Sequence, residues 1–328
     1  MHAIPKTINQ TGKRVLARIS TWPTIYFSIG LLVVFVVLFT RGSRGFLSPY
    51  NLSSILGSAS ILFAVGAGVT WAIATGGIDL SIGGLMSLVS VIFIVTVGTI
   101  GYWAFLLCVL VGIIGGFTNG LILARVQIPS FIVTLGMGGI FTSMAYLISP
   151  RALSAPAHTF GILDLVNGST MGVRNIYIIA VLVFIVFFVI QRFTVAGRNI
   201  FYMGSNIRMS WLSGINVVQS KQLAFMFSGV GASVAGVMLA CRQYSGYPTI
   251  GNVYILTAIA TVIIGGTAMT GGTGGVLNTL IGALIMSVLQ NGMTVVGIDV
   301  YLQQTILGAL VIAIVAISID RKKLAVIK

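Results

Sequence analysis

Between Thr75 and Met86 the chain reads T-G-G-I-D-L-S-I-G-G-L-M, a carboxylate and a hydroxyl inside an apolar, glycine-broken stretch. Asp79 is one of four acids in 328 residues, with Asp164, Asp299 and Asp320, and there is no glutamate. A charged carboxylate at the centre of a membrane-inserted helix costs roughly 2.5–3.5 kcal/mol. Two roles would offset that cost. Asp79 or Ser81 could cap the helix after the break, accepting from amides that lipid leaves without partners. The same acceptors could also face a polyhydroxylated solute along an unwound, polar path. Asn119, Gln290, Asn291, Gln303 and Gln304 place neutral amides within apolar runs. Such amides tie helices together or line a pore, and a lining without a charged ring suits sugars better than ions. Asp79, Ser81, Asn119, Gln290 and Asn291 are the candidate substrate path.

Enzyme chemistry finds little support. The only histidines, His2 and His158, fall outside the apolar runs, and no nucleophile–base or metal-ligand constellation is present. The glycines at 265, 266, 271, 272, 274 and 275 are not followed by lysine, and G-x-x-x-x-G-K-[ST] is absent throughout. No catalytic residue, metal or cofactor is therefore expected. Gly76 and Gly77, with Gly265, Gly266, Gly271 and Gly272, are read as structural breaks for close packing or a re-entrant turn. Cys108 and Cys241 sit in apolar segments and read as packing residues.

Positioning these groups requires a lipid-embedded scaffold. The chain is 57% hydrophobic and 7% charged, with a mean hydropathy of +1.09, whereas soluble domains carry about 25% charged residues. Ten apolar runs approach the roughly 20 residues that a spanning helix needs. They lie near 23–40, 52–74, 80–98, 102–124, 129–148, 175–191, 222–241, 253–269, 275–297 and 301–319. The fold class is thus an all-α polytopic membrane protein of about ten helices. The first run is read as an uncleaved helix, because Arg41-Gly-Ser-Arg44 follows it rather than a small-x-small cleavage site.

The net charge of +14 reads as topology rather than nucleic-acid binding, because no aromatic-rich basic patch accompanies it. Placing both termini inside puts thirteen of the 18 Lys and Arg residues on the cytoplasmic side. The expected layout is a basic cytoplasmic segment 1–22, one transmembrane domain 23–320 with a cytoplasmic loop 192–221, and a basic tail 321–328. A polar outer loop runs from 149 to 174. Two glycine-rich breaks, 76–86 and 264–275, each precede an apolar helix, and Asn119-Gly120 is echoed by Asn291-Gly292. Matched interruptions in two halves of a transporter point to its substrate path.

Within the cytoplasmic loop a short helix is expected after Asn206, with Asn206 or Ser205 as its cap and Gly214 as its stop. Ile207, Trp211 and Leu212 form its narrow apolar stripe. Such a helix lies on the lipid interface or fits a groove on a cytoplasmic partner.

Several blocks, in order, resemble the ribose-type sugar ABC importer permeases. They are T-G-G-I-D-L-S-I-G, N-G-L-I-L-A, I-P-S-F-I-V-T-L-G, A-G-R-N-I, L-S-G-I-N-V, I-A-T-V-I-I-G-G-T-A-M-T-G-G-T-G and N-G-M-T-V-V-G-I. The resemblance implies a bacterial inner-membrane permease of a fold related to the cobalamin-importer permeases. It also implies a cytoplasmic ATP-binding subunit, which alone would use ATP, a periplasmic sugar-binding protein and a second permease copy or paralogue. Gly197, Arg198, Asn206, Trp211, Leu212 and Gly214 would then couple to the ATPase. The chain departs from the family pattern in carrying Ile207 and Arg208 where acids are common, and Ile255-Leu256-Thr257 where E-L-D is common. Those losses favour one half of a heterodimer or a divergent paralogue. The competing reading is a proton-coupled secondary transporter with Asp79 as the proton carrier.

Overall fold

The computed structural model describes residues 24–318, so the basic N-terminal segment and tail expected from the sequence lie outside the described residues. Thirteen α-helices follow one another: α1 Thr24–Gly42, α2 Pro49–Ala74, α3 Ile82–Ile100, α4 Trp103–Val126, α5 Ser130–Ile148, α6 Phe160–Asn167, α7 Asn175–Phe193, α8 Val195–Ser205, α9 Ile207–Leu212, α10 Val217–Gln243, α11 Tyr254–Ile264, α12 Val276–Val295 and α13 Val300–Ser318. Eight of them are long and apolar enough to cross a membrane, and α11 and α13 are shorter apolar helices. Each of the ten apolar runs has become a helix, which makes the chain a multi-pass, all-α membrane protein.

Helices α2, α3 and α10 form the interior, each with 72% of its span buried, whereas only 17% of α7 is buried. Helix α10 packs on α2, α3 and α4. The contact is close because glycines face each other: a methyl on Gly116 would strike the Phe225 carbonyl, and one on Gly231 would lie 2.7 Å from the Gly68 Cα. With no hydrophobic drive between helices in lipid, such small-residue seams carry the packing. Trp71 is fully buried on α2, with ring centroids of Phe187 at 6.1 Å, Phe201 at 6.1 Å and Phe227 at 4.9 Å. This cluster joins α2, α7, α8 and α10. Cys108 and Cys241 are buried and unpaired, as packing residues would be.

Three expectations need correction. The run 253–269 is not one helix: α11 ends at Ile264, and the backbone leaves the helix through glycines with positive φ, among them Gly271 at +82° and Gly272 at +78°. The segment 149–174 is not a plain loop. Leu153–Ser154 (β1) pairs antiparallel with Ser245–Gly246 (β4), Ser169–Thr170 (β2) pairs with Val173–Arg174 (β3), and α6 lies between the two pairs. The segment 192–221 holds two helices, α8 and α9, rather than one. Thr194 caps α8, its hydroxyl accepting from Gly197 N at 3.1 Å.

Candidate functional site

A cavity of about 710 Å³ opens between α2, α11, α12 and α13, within the roughly 300–1,000 Å³ typical of small-molecule sites. Helix α12 presents Ser287, Gln290, Asn291 and Thr294 to it, an i, i+3, i+4, i+7 set that makes one polar face on an apolar helix. Ser54 and Ser58 enter from α2, Thr257 from α11 with Asn252 just before it, and Gln303 and Gln304 from α13. No charged side chain among the described residues lines this space. The Ser287 hydroxyl and the Asn291 Oδ1 are buried with no hydrogen-bond partner. Unpaired buried polar atoms cost about 1–3 kcal/mol each, and Trp71 Nε1, Asn119 Oδ1 and Ser228 Oγ share that state away from the cavity. Gln303 is partly committed, donating to the Ile298 carbonyl at 2.9 Å.

Asp79, Ser81 and Asn119 are placed elsewhere. All three are fully or almost fully buried and are joined by hydrogen bonds outside the cavity lining, with the Asn119 Oδ1 left without a partner. The Asp79 carboxylate accepts from Ser81 N at 3.0 Å and from the Ser81 hydroxyl at 2.6 Å. That hydroxyl in turn accepts from Asn119 Nδ2 at 2.7 Å. Asp79 therefore holds the turn before α3, and the Ser81 side chain caps no amide of that helix. The five residues expected on one path thus divide between the cavity and a structural knot. The Asn-Gly echo does not follow the breaks either, since Asn119 sits two helices after the first break and Asn291 on the helix directly after the second.

Each break is clamped by side chains that sequence reasoning left unassigned. Ser130 and Thr134, one turn apart on α5, accept from Ile78 N at 2.9 Å and Leu80 N at 3.0 Å. Gln191 at the end of α7 accepts from Val276 N at 2.9 Å and donates to the Gly274 carbonyl at 3.3 Å, so it caps α12. Unwound backbone at membrane depth is tolerated only when it is satisfied in this way. The i, i+4 spacing of Ser130 and Thr134 inside I-P-S-F-I-V-T was the available signal for the first clamp.

The breaks also meet each other. Gly272 N donates to the Ala74 carbonyl at 2.9 Å, and a methyl on Gly271 would lie 2.7 Å from Gly76 N and 3.0 Å from the Gly204 carbonyl. Gly204, on α8, presses so closely on Ala74 and Gly272 that only hydrogen fits between them. Gly265 packs on the Asn278 carbonyl, and Gly77 lies against Phe225 and Ser130. Beyond this junction α9 begins at Asn206, whose Oδ1 accepts from Met209 N at 3.0 Å. It stops at Gly214, with φ +80°. Trp211 and Leu212 are 68% and 64% exposed. Gly197 is buried against Ile190 and Gln191, and Arg198, the next residue, is exposed. A second cleft, about 880 Å³, is lined by Gly76 and Gly77 on one side and by Arg208 and Trp211 on the other.

The two spaces lie toward opposite ends of α2. From Ser58 to Thr75 is about 25 Å at 1.5 Å per residue, and α2 is buried without interruption from Ala59 to Ala74. In this multi-pass membrane protein an uncharged polar cavity thus lies toward one end of α2 and a cleft toward the other, with a buried stretch of that helix between them.

The comparisons agree with this class. Residues 51–315 match the family described as the permease component of branched-chain amino acid transport systems, and the chain belongs to that family. Among its relatives, the ribose import permease protein RbsC of Bacillus subtilis is 31% identical over 297 residues, covering 90% of this chain and 92% of that protein. The D-allose transport system permease protein AlsC of Escherichia coli is 31% identical, over 90% and 91% of the two chains. The fructose import permease protein FrcC of Rhizobium meliloti is 33% identical, over 92% and 86%. No solved structure matches the chain.

Proposed function

We propose that this chain forms the membrane path of an ABC importer for a monosaccharide or similar small polyol. The observation that carries this reading is the cavity walled by hydroxyls and amides, with no charged side chain among the described residues that line it. A sugar presents donors and acceptors all round and no charge, so such a lining can exchange hydrogen bonds with it at several steps. The relatives' names, ribose, allose and fructose permeases, point the same way.

Energy enters through α9. Its exposed Ile207, Trp211 and Leu212 suit the groove of a cytoplasmic ATP-binding subunit, and α8 ties that helix to both glycine breaks. On this reading both termini face the cytoplasm of a bacterial inner membrane. The 149–174 substructure faces the periplasm, where a sugar-binding protein delivers solute, and a second permease copy or paralogue completes the assembly. The chain itself carries no catalysis and no cofactor. The closed surroundings of Asp79 weigh against the proton-coupled alternative, because its carboxylate has no place on the cavity wall.

The test is uptake of labelled monosaccharides by cells carrying the intact transporter. Loss of the ATP-binding subunit should abolish uptake, and Asn291→Leu should reduce it at least tenfold at normal membrane abundance. Uptake that survives without the ATPase and collapses when the proton gradient is dissipated would overturn the proposal.

A further inference from the structure

Arg242 closes α10 as the only basic residue of its last turn. It is half-buried, and its Nη1 donates to the Ser58 hydroxyl at 3.1 Å. That is the only hydrogen bond its guanidinium makes among the described residues. The group lies over Gly57, where a methyl would meet Nη1 at 3.7 Å, the central carbon at 3.8 Å and Nη2 at 3.9 Å. Tyr254 is near enough to feel its charge. The described acids are Asp79, Asp164 and Asp299, and none forms an ion pair with it.

A guanidinium carries five N–H donors and cannot lose its charge. Held half out of water at the C-terminal end of α10, with one neutral side-chain partner, it keeps donors that a carboxylate could take in place of water. Its place decides what that carboxylate belongs to. Ser58, which accepts its hydrogen bond, is itself part of the cavity wall, so the positive charge stands one hydrogen bond behind the solute space. Thr257, Asn252, Gln290 and Thr294 on the neighbouring walls are neutral polar groups suited to hydroxyls.

We propose that Arg242 makes this cavity selective for a polyhydroxylated carboxylate, a sugar acid, over the neutral polyol of the same skeleton. The inference rests on the reading of the cavity as the solute path and narrows its substrate class. A unit charge about 7 Å away through an effective dielectric of about 20 corresponds to roughly fifty-fold in affinity. Screening by water in the open cavity leaves about tenfold as the expected preference.

The experiment compares D-gluconate with D-glucitol, which differ only in a terminal carboxylate against a hydroxymethyl group. Binding of each to the purified full chain in nanodiscs is titrated by calorimetry at neutral pH. The wild type should bind gluconate about tenfold more tightly than glucitol. Arg242→Gln should lose that preference, read as the ratio of the two affinities within the variant. Arg242→Lys, which keeps the charge, should retain most of the preference. Equal affinities in the wild type, or an unchanged preference in Arg242→Gln, would refute the role of Arg242 and leave the polyol path standing. Failure of both probes to bind the wild type would refute the polyol reading of the cavity and the inference with it.

Discussion

Replacing Gly204 by alanine tests whether the contact between α8 and the two breaks transmits motion. The residue is helical, so its backbone places no demand for glycine, and alanine should gain about 0.8–1 kcal/mol of helix propensity there. Packing reverses that sign. The new methyl would overlap the Ala74 carbonyl and lie 2.7 Å from Gly272 N, two backbone atoms that no side-chain rotation can move. Overpacking of this kind costs about 1–3 kcal/mol, and separating α8 from the breaks relieves it while leaving the Gly272 N to Ala74 O bond between them intact. Set against the propensity gain, the net effect is a junction weakened by up to about 2 kcal/mol, taken up by moving α8 away from the breaks.

The assay is the intact transporter in proteoliposomes, with solute-stimulated ATP hydrolysis and solute uptake measured on the same preparation. Gly204→Ala should keep basal hydrolysis but lower uptake per ATP several-fold. Gly139→Ala is the control, since a methyl there meets nothing within 4 Å, and it should leave both readouts unchanged. Wild-type uptake per ATP and wild-type thermal stability in Gly204→Ala would show that the contact is slack and that motion of α9 does not pass through it.

Three further outcomes follow from the same geometry. Removing the clamp on the first break with Ser130→Ala and Thr134→Ala together strands the Ile78 and Leu80 amides, each costing about 1–3 kcal/mol. The double variant should therefore melt earlier in detergent, and an unchanged melting curve would deny the clamp. Asp79→Asn retains a side-chain oxygen for Ser81 and should stay folded and active, whereas Asp79→Ala breaks the knot and should lose membrane abundance; equal behaviour of the two would remove that distinction. Trp211→Ala deletes an exposed ring, so its melting temperature should match the wild type while co-purification of the ATP-binding subunit falls, and undiminished co-purification would free α9 from that role.

What could be read from the chain beforehand was what neighbouring residues decide. Apolar run length located all ten main helices, and Asn206 and Gly214 bounded α9 because a cap and a left-handed stop act within a few residues of themselves. Misreadings arose where partners lie far apart in sequence. Gln191 caps α12 from 85 residues away, and nothing near Gln191 marks it as a cap. The segment 149–174 takes its order partly from β4, which follows α10. The cavity draws its lining from four helices, and only two of its polar members, Gln290 and Asn291, were on the candidate path. Ser54 and Ser58 read as ordinary helix serines until α2 is set beside α12. Asp79 drew attention through the cost of burying a carboxylate, and its hydrogen bonds run locally to Ser81 rather than toward the cavity.

The placement of the breaks gives α9 a mechanical route to the cavity that does not pass through Asp79. Helix α12 starts at the second break, where Gln191 caps it, and carries Ser287, Gln290 and Asn291 toward its far end. Its 20 residues span about 30 Å, and a helix moves along its axis as a unit more easily than it stretches. A push on α9 that displaces Gly204 meets both Ala74 and Gly272, so it bears on the end of α2 and the second break together. The first break is held by Ser130, Thr134 and the Asp79–Ser81–Asn119 chain, which bind it to α3, α4 and α5. The second is held by Gln191, which ties the end of α7 to the start of α12. Motion that reaches the cavity from α9 by this route therefore has to carry α7 and α12 together, because neither can leave the other without stranding the Val276 amide.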